Sequence, residues 1–442
     1  MSDPTATINT MPSKTFFVDM LIRDLSLTDA LLDLADNSVD KLVTRLGIDA
    51  TKAVMSSAGT PPDQATTISL RCNADEFVIE DTSGGMTKKD IEERVFVLGN
   101  SKLQSDAPGL SVYGIGMKRA FFKIGNYVEL LTKSDSEGEL AVTWDIPQWK
   151  SDPKNWNLPF SEPDQLNIKR ESLTPGTTIR VSQLHPDISE AFNRISFQND
   201  LRDRLETVYA AFLAAGVSIK LGDDPIVSDF PQFGVSEEIK KARHSFKVGD
   251  VDVDIHVGVT PWDDRIPRGW YVFCNGRMVV SANKDKLTGW GDEFPIFHPK
   301  YNHFLGFVFL ESTNLLALPW TTTKQGVIRE AHVYQQTLQE MKLQARPVLD
   351  FFDNRMVRDQ DSEVAAEREM LLDVKPVPLS SSFTLPSFVY TPRPSAAQTH
   401  GNISYKKTHE EIRRAKAAYG DPNMSNKSLG EETFDYFLRN EE

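Results

Sequence analysis

Four short blocks hold side chains whose types and spacing can do chemistry. In "DLADNSVD", residues 33–40, Asp33 and Asn37 stand four apart. On a helix such a pair projects from one face, so a carboxylate and an amide oxygen reach the same cavity. The amide oxygen of Asn37 is a hard ligand of the kind Mg2+ prefers when it bridges phosphates. Asp33 is suited to orient or deprotonate a water. In "EDTSGGM", residues 80–86, Asp81 ends an alternating apolar run and enters a turn. An ionised carboxylate only accepts hydrogen bonds, so it selects an exocyclic amine such as that of adenine over the carbonyl of guanine. Gly85 shapes the turn, and Met86 is placed to pack on a base.

The third block, "SVYGIGMKRAFFKIG", residues 111–125, puts Gly114 and Gly116 ahead of a helix whose first turn carries Met117 and Lys118. Glycines let backbone N–H groups approach phosphates, and a helix N-terminus favours anions. Lys118 adds a positive charge. A Rossmann reading is disfavoured, because no strand leads directly into these glycines. The fourth block, "TPGTTIRV", residues 174–181, leads into a strand and offers the Thr177 hydroxyl.

The elements that must carry these groups mix helices and strands. "SLTDALLDLADNSVDKLV" places Leu27, Ala30, Leu31, Leu34 and Leu42 at helical spacing behind Ser26, a plausible N-cap. Asp33, Asp36, Asn37 and Asp40 fall on the opposite face, which by itself reads as a solvated surface. "TISLRC" and "EFVIED" read as paired strands, and "TKKDIEERVFVLG" as a helix. Beyond residue 200 a helix "LRDRLETVYAAFLAAG" precedes the strand candidates "VSIKLG", "FKVGDVDVDIHVGV", "WYVFCNGRMVV" and "FLGFVFLES". The Asn-Gly of "FCNGRMVV" is a hairpin signal. A charged helical stretch is expected after Pro347, to about residue 374. The segment "KPVPLSSSFTLPSFVYTPRPSAAQTHGN" reads as an extended linker, followed by helix candidates "THEEIRRAKAAYG" and "SLGEETFDYFLRN".

With 442 residues the chain has room for two or three domains. A net charge of −14 means that any nucleic-acid contact needs a local basic patch. Cys72 and Cys274, the two cysteines, lack zinc or disulfide-framework spacing, and a reducing compartment fits. No apolar run reaches the roughly 20 residues of a membrane span, so a cytoplasmic location is expected.

Taken together and in order, the four blocks resemble the nucleotide-binding signature of the GHKL superfamily, which includes gyrase B subunits, MutL, large heat-shock chaperones, histidine kinases and MORC proteins. The family's base is a Glu four residues before an Asn, and Asp33 stands in that place here. Ser83 replaces the first Gly of the family's D-x-G-x-G, and Ser111 the first Gly of its lid. The resemblance implies an α+β fold: a GHKL (Bergerat) α/β sandwich at 1–200, a ribosomal S5-like α/β transducer domain at 201–345, and at 346–442 a helical extension, linker and partner-binding tail. It implies an ATP hydrolase binding ATP and Mg2+, with Asp33 catalytic and Asn37 on the metal. Asp81, Gly85, Met86, Ser101, Lys102, Gly114, Gly116, Met117, Lys118 and Thr177 are implied to line the nucleotide.

All eight histidines lie at or beyond residue 185, which argues against a sensor histidine kinase. "LPWTTTKQGVIRE", residues 318–330, offers Lys324 in the position of the loop lysine with which gyrase B, MutL and MORC relatives reach the γ-phosphate. An ATP-gated clamp is implied: a homodimer closes on ATP, with residues before about 25 either crossing to the partner or docking on their own domain. A MORC-like or MutL-like role in DNA transactions or antiviral defence follows by analogy. The alternatives are a chaperone-like ATPase and an ATP-binding module with little turnover. "FDYFL" near the C-terminus suits docking of an effector or client protein. The basic residues Lys406, Lys407, Arg413, Arg414 and Lys416 are interrupted by Glu410 and Glu411, and read as a solvated helix.

Overall fold

Leucine and alanine at helical spacing make α2 (Leu27–Leu46) the central helix of the first layer. Ser26 caps it, its hydroxyl accepting from the Asp29 amide, and Gly47 ends it in the left-handed conformation. Ala30, Leu31, Leu34, Ala35, Val39 and Leu42 are buried. The computed structural model describes residues 12–55, 67–97, 110, 114–170, 174–227, 231–261, 267–292, 294–356, 370–377, 384–391 and 403–441. The chain forms two compact units, Met1–Thr391 and Pro392–Glu442.

The larger unit contains two sheets. The first has eight strands: β1 (Thr67–Cys72), β2 (Glu76–Asp81), β3 (Gly125–Lys133), β4 (Glu139–Asp145), β5 (Phe160–Ser161), β6 (Gly176–Leu184), β7 (Ser218–Leu221) and β8 (Asp224–Pro225). Their spatial order is β5-β4-β3-β6-β2-β1-β7-β8. All pairs are antiparallel except β1 with β7. The strand in "VSIKLG", expected in the second domain, therefore completes the first sheet. Its Ile219 and Leu221 are buried there beside Ile68 and Leu70, which an edge at β1 would have left uncovered.

Helix α1 (Lys14–Ile22) docks on its own unit. The Lys14 ammonium donates to the carbonyls of Trp149, Asp152 and Asn155, each at 2.6 Å, and lies over the Trp149 ring. After α3 (Ala50–Met55), the helix expected over "TKKDIEERVFVLG" is short: α4 (Lys88–Asp90), capped by Thr87, passes into a π-helical turn, Ile91–Val95. Helix α5 (Gly116–Ile124) packs on α2 and on β3. Then come α6 (Ile146–Ser151), α7 (Pro186–Phe192), α8 (Ile195–Val208) and α9 (Ala210–Ala214). The expected "LRDRLETVYAAFLAAG" helix is broken at Tyr209, whose hydroxyl is drawn inward onto α2.

The second sheet is built from β9 (Phe233–Val235), β10 (Ile239–Val248), β11 (Val251–Val259), β12 (Gly269–Cys274), β13 (Arg277–Asn283) and β14 (Phe304–Glu311). Its main path runs β13-β12-β14-β11-β10. Asn275 and Gly276, both at positive φ, close the β12–β13 hairpin as the Asn-Gly signal predicts. Helix α10 (His332–Met356) covers this sheet and runs through Pro347, so it starts well before the expected helical stretch. Part of the expected linker is not free chain. Lys375–Val377 pairs with β9, and Thr384–Leu385 and Val389–Tyr390 pair with β10. Extended, proline-bearing chain suits such edges because it lacks ladder donors to spare.

In the smaller unit, helix His409–Tyr419 has the capping box Thr408–Glu411, and helix Asn426–Glu441 leaves Phe434, Tyr436, Phe437 and Leu438 exposed. Both cysteines are free thiols. Among the described residues no helix is long and apolar enough to cross a membrane.

Gly306 sits in register with Trp270, and a Cβ there would lie 2.3 Å from the indole ring. Gly306→Ala is therefore expected to lower unfolding free energy by about 1–3 kcal/mol through overpacking. Urea denaturation followed by fluorescence tests this, and an unchanged midpoint would refute it.

Candidate functional site

The carboxylates of α2 are not solvated. Asp29, Asp33 and Asp36 are buried, and each meets a partner from a distant segment. Asp29 takes the Ser26 hydroxyl at 2.6 Å and the Gln325 side-chain amide. Burial raises its pKa despite Ser26 and Arg204. Asp40 takes the Leu110 amide at 2.9 Å. The expected polar face is thus an internal docking face.

Asp36 is the most enclosed of the set. Its Oδ1 accepts from Arg277 Nε at 2.9 Å and Tyr209 Oη at 2.7 Å, and its Oδ2 from Lys324 Nζ at 2.6 Å. Burial pushes the carboxyl up, but Arg277 and Lys324 outweigh burial and hold its pKa at about 2. Arg277 also donates to the Lys324 carbonyl at 2.6 Å. Lys324 itself has a left-handed backbone, φ +56°. For a residue with a Cβ this costs roughly 1–2 kcal/mol, and the bonds at its two ends hold it there.

One turn earlier, a cavity of about 340 Å3 opens. Asp33 and Asn37 from α2, Met86 from the turn after β2, and Gly114, Gly116 and Met117 at the head of α5 line it, and Lys324 enters from the loop after β14. Seven of the residues singled out in the sequence thus share one cavity, although some 290 positions separate the first from the last. Arg94, Arg119 and Thr322 complete the polar lining. Three cations and one carboxylate make the wall suited to a polyanion. Asn37 donates its amide Nδ2 to the Asp33 main-chain carbonyl at 2.8 Å, which fixes the side chain. Gly116 lets α5 come close to Asp33, since a Cβ there would sit 3.2 Å from the Asp33 carboxyl carbon.

The remaining candidates are placed differently. Asp81 is buried beside the cavity and does not line it. Its Oδ1 accepts from the Ser83 amide at 2.9 Å, the Ser83 hydroxyl at 2.5 Å and the Thr177 amide at 3.2 Å, while Oδ2 accepts from Ser38 Oγ at 2.7 Å. Ser83, standing where a glycine was expected, thus fastens the carboxylate. Ser38 follows Asn37 on α2 and ties the two blocks together. The Thr177 hydroxyl pairs with that of Thr132 at 3.0 Å, which in turn accepts the Met86 amide at 2.8 Å. Gly85, at φ +66°, presses on the end of β3, where a Cβ would lie 1.9 Å from the Lys133 carbonyl oxygen.

Lys118 turns away from the cavity. Its ammonium is buried on the carbonyls of Gly114 and Val97, the latter at 2.7 Å, and burial lowers its pKa to about 8. The basic group of this helix that does face the cavity is Arg119, whose Nε meets Asp33 Oδ2 at 2.6 Å and whose Nη2 meets the Thr322 carbonyl at 3.3 Å. Sequence reasoning missed Arg119, Arg277 and Tyr209. A basic residue at the head of α5 was visible, but its pairing with Asp33 depends on how two helices cross. Ser101 and Lys102 lie outside the described residues.

Residues 25–174 match the family model described as histidine kinase-, DNA gyrase B-, and HSP90-like ATPase. The match supports a GHKL-type ATPase domain over that stretch. It takes in Asp33, Asn37, Asp81, Gly114 and Gly116, and ends before Thr177 and Lys324. No curated protein matches the chain.

Arg277→Ala would leave Asp36 buried beside one cation fewer, a change that typically costs about 3–5 kcal/mol. The folded pKa of Asp36 is depressed, so its stabilising contribution is present above the ordinary carboxylate range and is lost as pH falls toward about 2. The deficit of Arg277→Ala against wild type should therefore be full at pH 7 and shrink below pH 4. Urea unfolding at both pH values measures it, and a pH-independent deficit would count against the ion pair.

Proposed function

We propose that this protein is a Mg2+-dependent ATPase in which a loop of the second sheet reads the nucleotide bound by the first. The observation that carries the reading is that Asp33, Asn37, Gly114, Gly116 and Lys324 line one cavity, together with the family match over residues 25–174. A volume of about 340 Å3 is at the lower end of the ~300–1,000 Å3 usual for small-molecule sites, and the basic lining suits phosphates. The division into a nucleotide-binding module and a transducer module follows the two sheets, with the first extended through β8.

The donor set fits a phosphate-bridged ion. Among the described residues no group of three or more His, Cys, Asp or Glu side chains could cage a metal, so the protein's share of the coordination would come from the Asn37 amide oxygen. When bound, Mg2+ supplies charge neutralisation on the phosphates. Asp33 orients a water whose oxygen forms a new bond to the terminal phosphorus. The bond from that phosphorus to the bridging oxygen breaks, ADP keeps the electron pair, and the water proton passes to the Asp33 carboxylate. Asp81 does not line the cavity, but Ser38, the neighbour of Asn37, ties it to the same helix, and among the described residues its Oδ2 accepts only that hydroxyl. Its second lone pair is suited to the adenine amine, with Met86 against the base.

In this reading ATP gates a homodimer of the MORC or MutL kind, acting with a partner protein in DNA transactions or antiviral defence, a setting carried by the resemblance. The exposed apolar face of Asn426–Glu441 supports effector or client docking. A second reading, an ATP-binding module with little turnover, is favoured by the Arg119 guanidinium seated on Asp33.

Phosphate release from ATP should vanish in Asn37→Ala. It should fall about 10²–10⁴-fold in Asp33→Asn, the usual range for losing a general base, with nucleotide binding retained. Wild-type protein that binds ATP and releases no phosphate would select the second reading. Asp33→Asn with ATP should double its mass in light scattering, and a persistent monomer would remove the clamp.

A further inference from the structure

Arg119 is not among the groups the nucleotide-binding signature assigns, yet it is the cation closest to the expected base. Its contacts employ Nε and Nη2, so only two of the five N–H donors of a guanidinium meet an acceptor among the described residues. It stands in the first turn of α5, where backbone N–H groups and the helix dipole favour an anion. Lys118, its neighbour, is committed to main-chain carbonyls. Of the other two cations that line the cavity, Lys324 donates to Asp36 and Arg94 pairs at 4.0 Å with Asp90, a carboxylate outside the lining. Arg119 is therefore the lining cation whose counter-ion itself belongs to the reaction.

We propose that Arg119 is a terminal-phosphate ligand that, without nucleotide, is stored on Asp33, and that the triphosphate draws it off and thereby frees the base. This rests on the ATPase reading above. The exchange is chemically reasonable. Asp33 offers one negative charge to the guanidinium, whereas a terminal phosphate offers up to two on three oxygens, in a geometry a planar fork matches bidentately. With the guanidinium at 2.6 Å from its Oδ2, Asp33 has an Arg119 N–H where a water would have to donate. Water activation then becomes conditional on the group to be attacked. ADP, lacking that group, leaves Arg119 on Asp33. The second bond of Arg119, to the Thr322 carbonyl, lies two residues from Lys324, so withdrawing the guanidinium also releases one tie between α5 and the loop of the second sheet.

The test is calorimetric titration of the full chain, with Mg2+, by ADP and by the non-hydrolysable analogue carrying nitrogen between the last two phosphates. Wild type is expected to prefer the triphosphate analogue. Arg119→Gln should lose tenfold or more of that preference, with ADP affinity unchanged or improved, and Arg119→Lys should restore part of it. Asp33→Asn, which removes the competing carboxylate, should bind the analogue several-fold more tightly than wild type while ADP changes little. This second variant keeps the test decisive if Arg119→Gln does not fold. A wild-type ratio of affinities retained in Arg119→Gln, or analogue binding weakened in Asp33→Asn, overturns the inference and leaves Arg119 a structural clamp. Wild-type protein that binds neither nucleotide instead removes the ATPase reading on which it rests.

Discussion

The larger unit depends on one buried carboxylate. Asp36 lies on the central helix of the first layer, and it is met by Arg277 from the start of β13, Lys324 from the loop after β14 and Tyr209 from the α8–α9 break. Taking an ion out of water costs several kcal/mol, and only close opposite charge with saturated hydrogen bonding offsets it. Here both conditions are met, so α2 is fixed against the second sheet by an interaction that tolerates little displacement. Asp33, about one turn before it on the same helix, and Asn37, the next residue, acquire their position relative to Lys324 from it.

The same helix explains why an acidic face can be internal. Asp29, Asp33, Asp36 and Asp40 receive, in turn, Gln325, Arg119, the Arg277–Lys324 pair and the Leu110 amide. Each partner comes from a different part of the chain or a different residue of one loop. A face of carboxylates spaced along a rod is thus a row of sockets, and the leucine face behind it supplies the rigidity. The cavity opens where that row meets the glycines of α5, so ligand and inter-sheet contacts share the same few side chains.

Much of this was legible in the amino-acid order, and the limits have physical causes. Periodicity located α2, β1 and β2, and the Asn-Gly hairpin of β12–β13, because those patterns are local. The convergence of Asp33, Asn37, Met86, Gly114, Gly116, Met117 and Lys324 was readable only as a set of spaced blocks. The orientation of Lys118 and Arg119 was not readable, since adjacent residues on a helix differ by about 100° and the crossing of α5 over α2 decides which one faces inward. The pairing of Asp36 with Arg277 was equally hidden, because nothing near either residue signals a partner 241 positions away. Nor did composition reveal that Lys375–Val377 and Val389–Tyr390 pair with sheet edges, for extended Pro-rich chain looks the same free or bound.

The distance in sequence between Asp36 and its cations also bears on how the molecule is made. Lys324 follows Asp36 by 288 residues. At synthesis rates of about 5–20 residues per second, the ribosome delivers it roughly 15–60 seconds later. Until first Arg277 and then Lys324 have been made, the helix carries an acidic group without the full set of cations it is buried with. The seat of Asp36 is complete only once the start of β13 and the loop after β14 have been translated. A nascent chain cut before residue 277 would keep its leucines yet lack the charges that allow α2 to be enclosed.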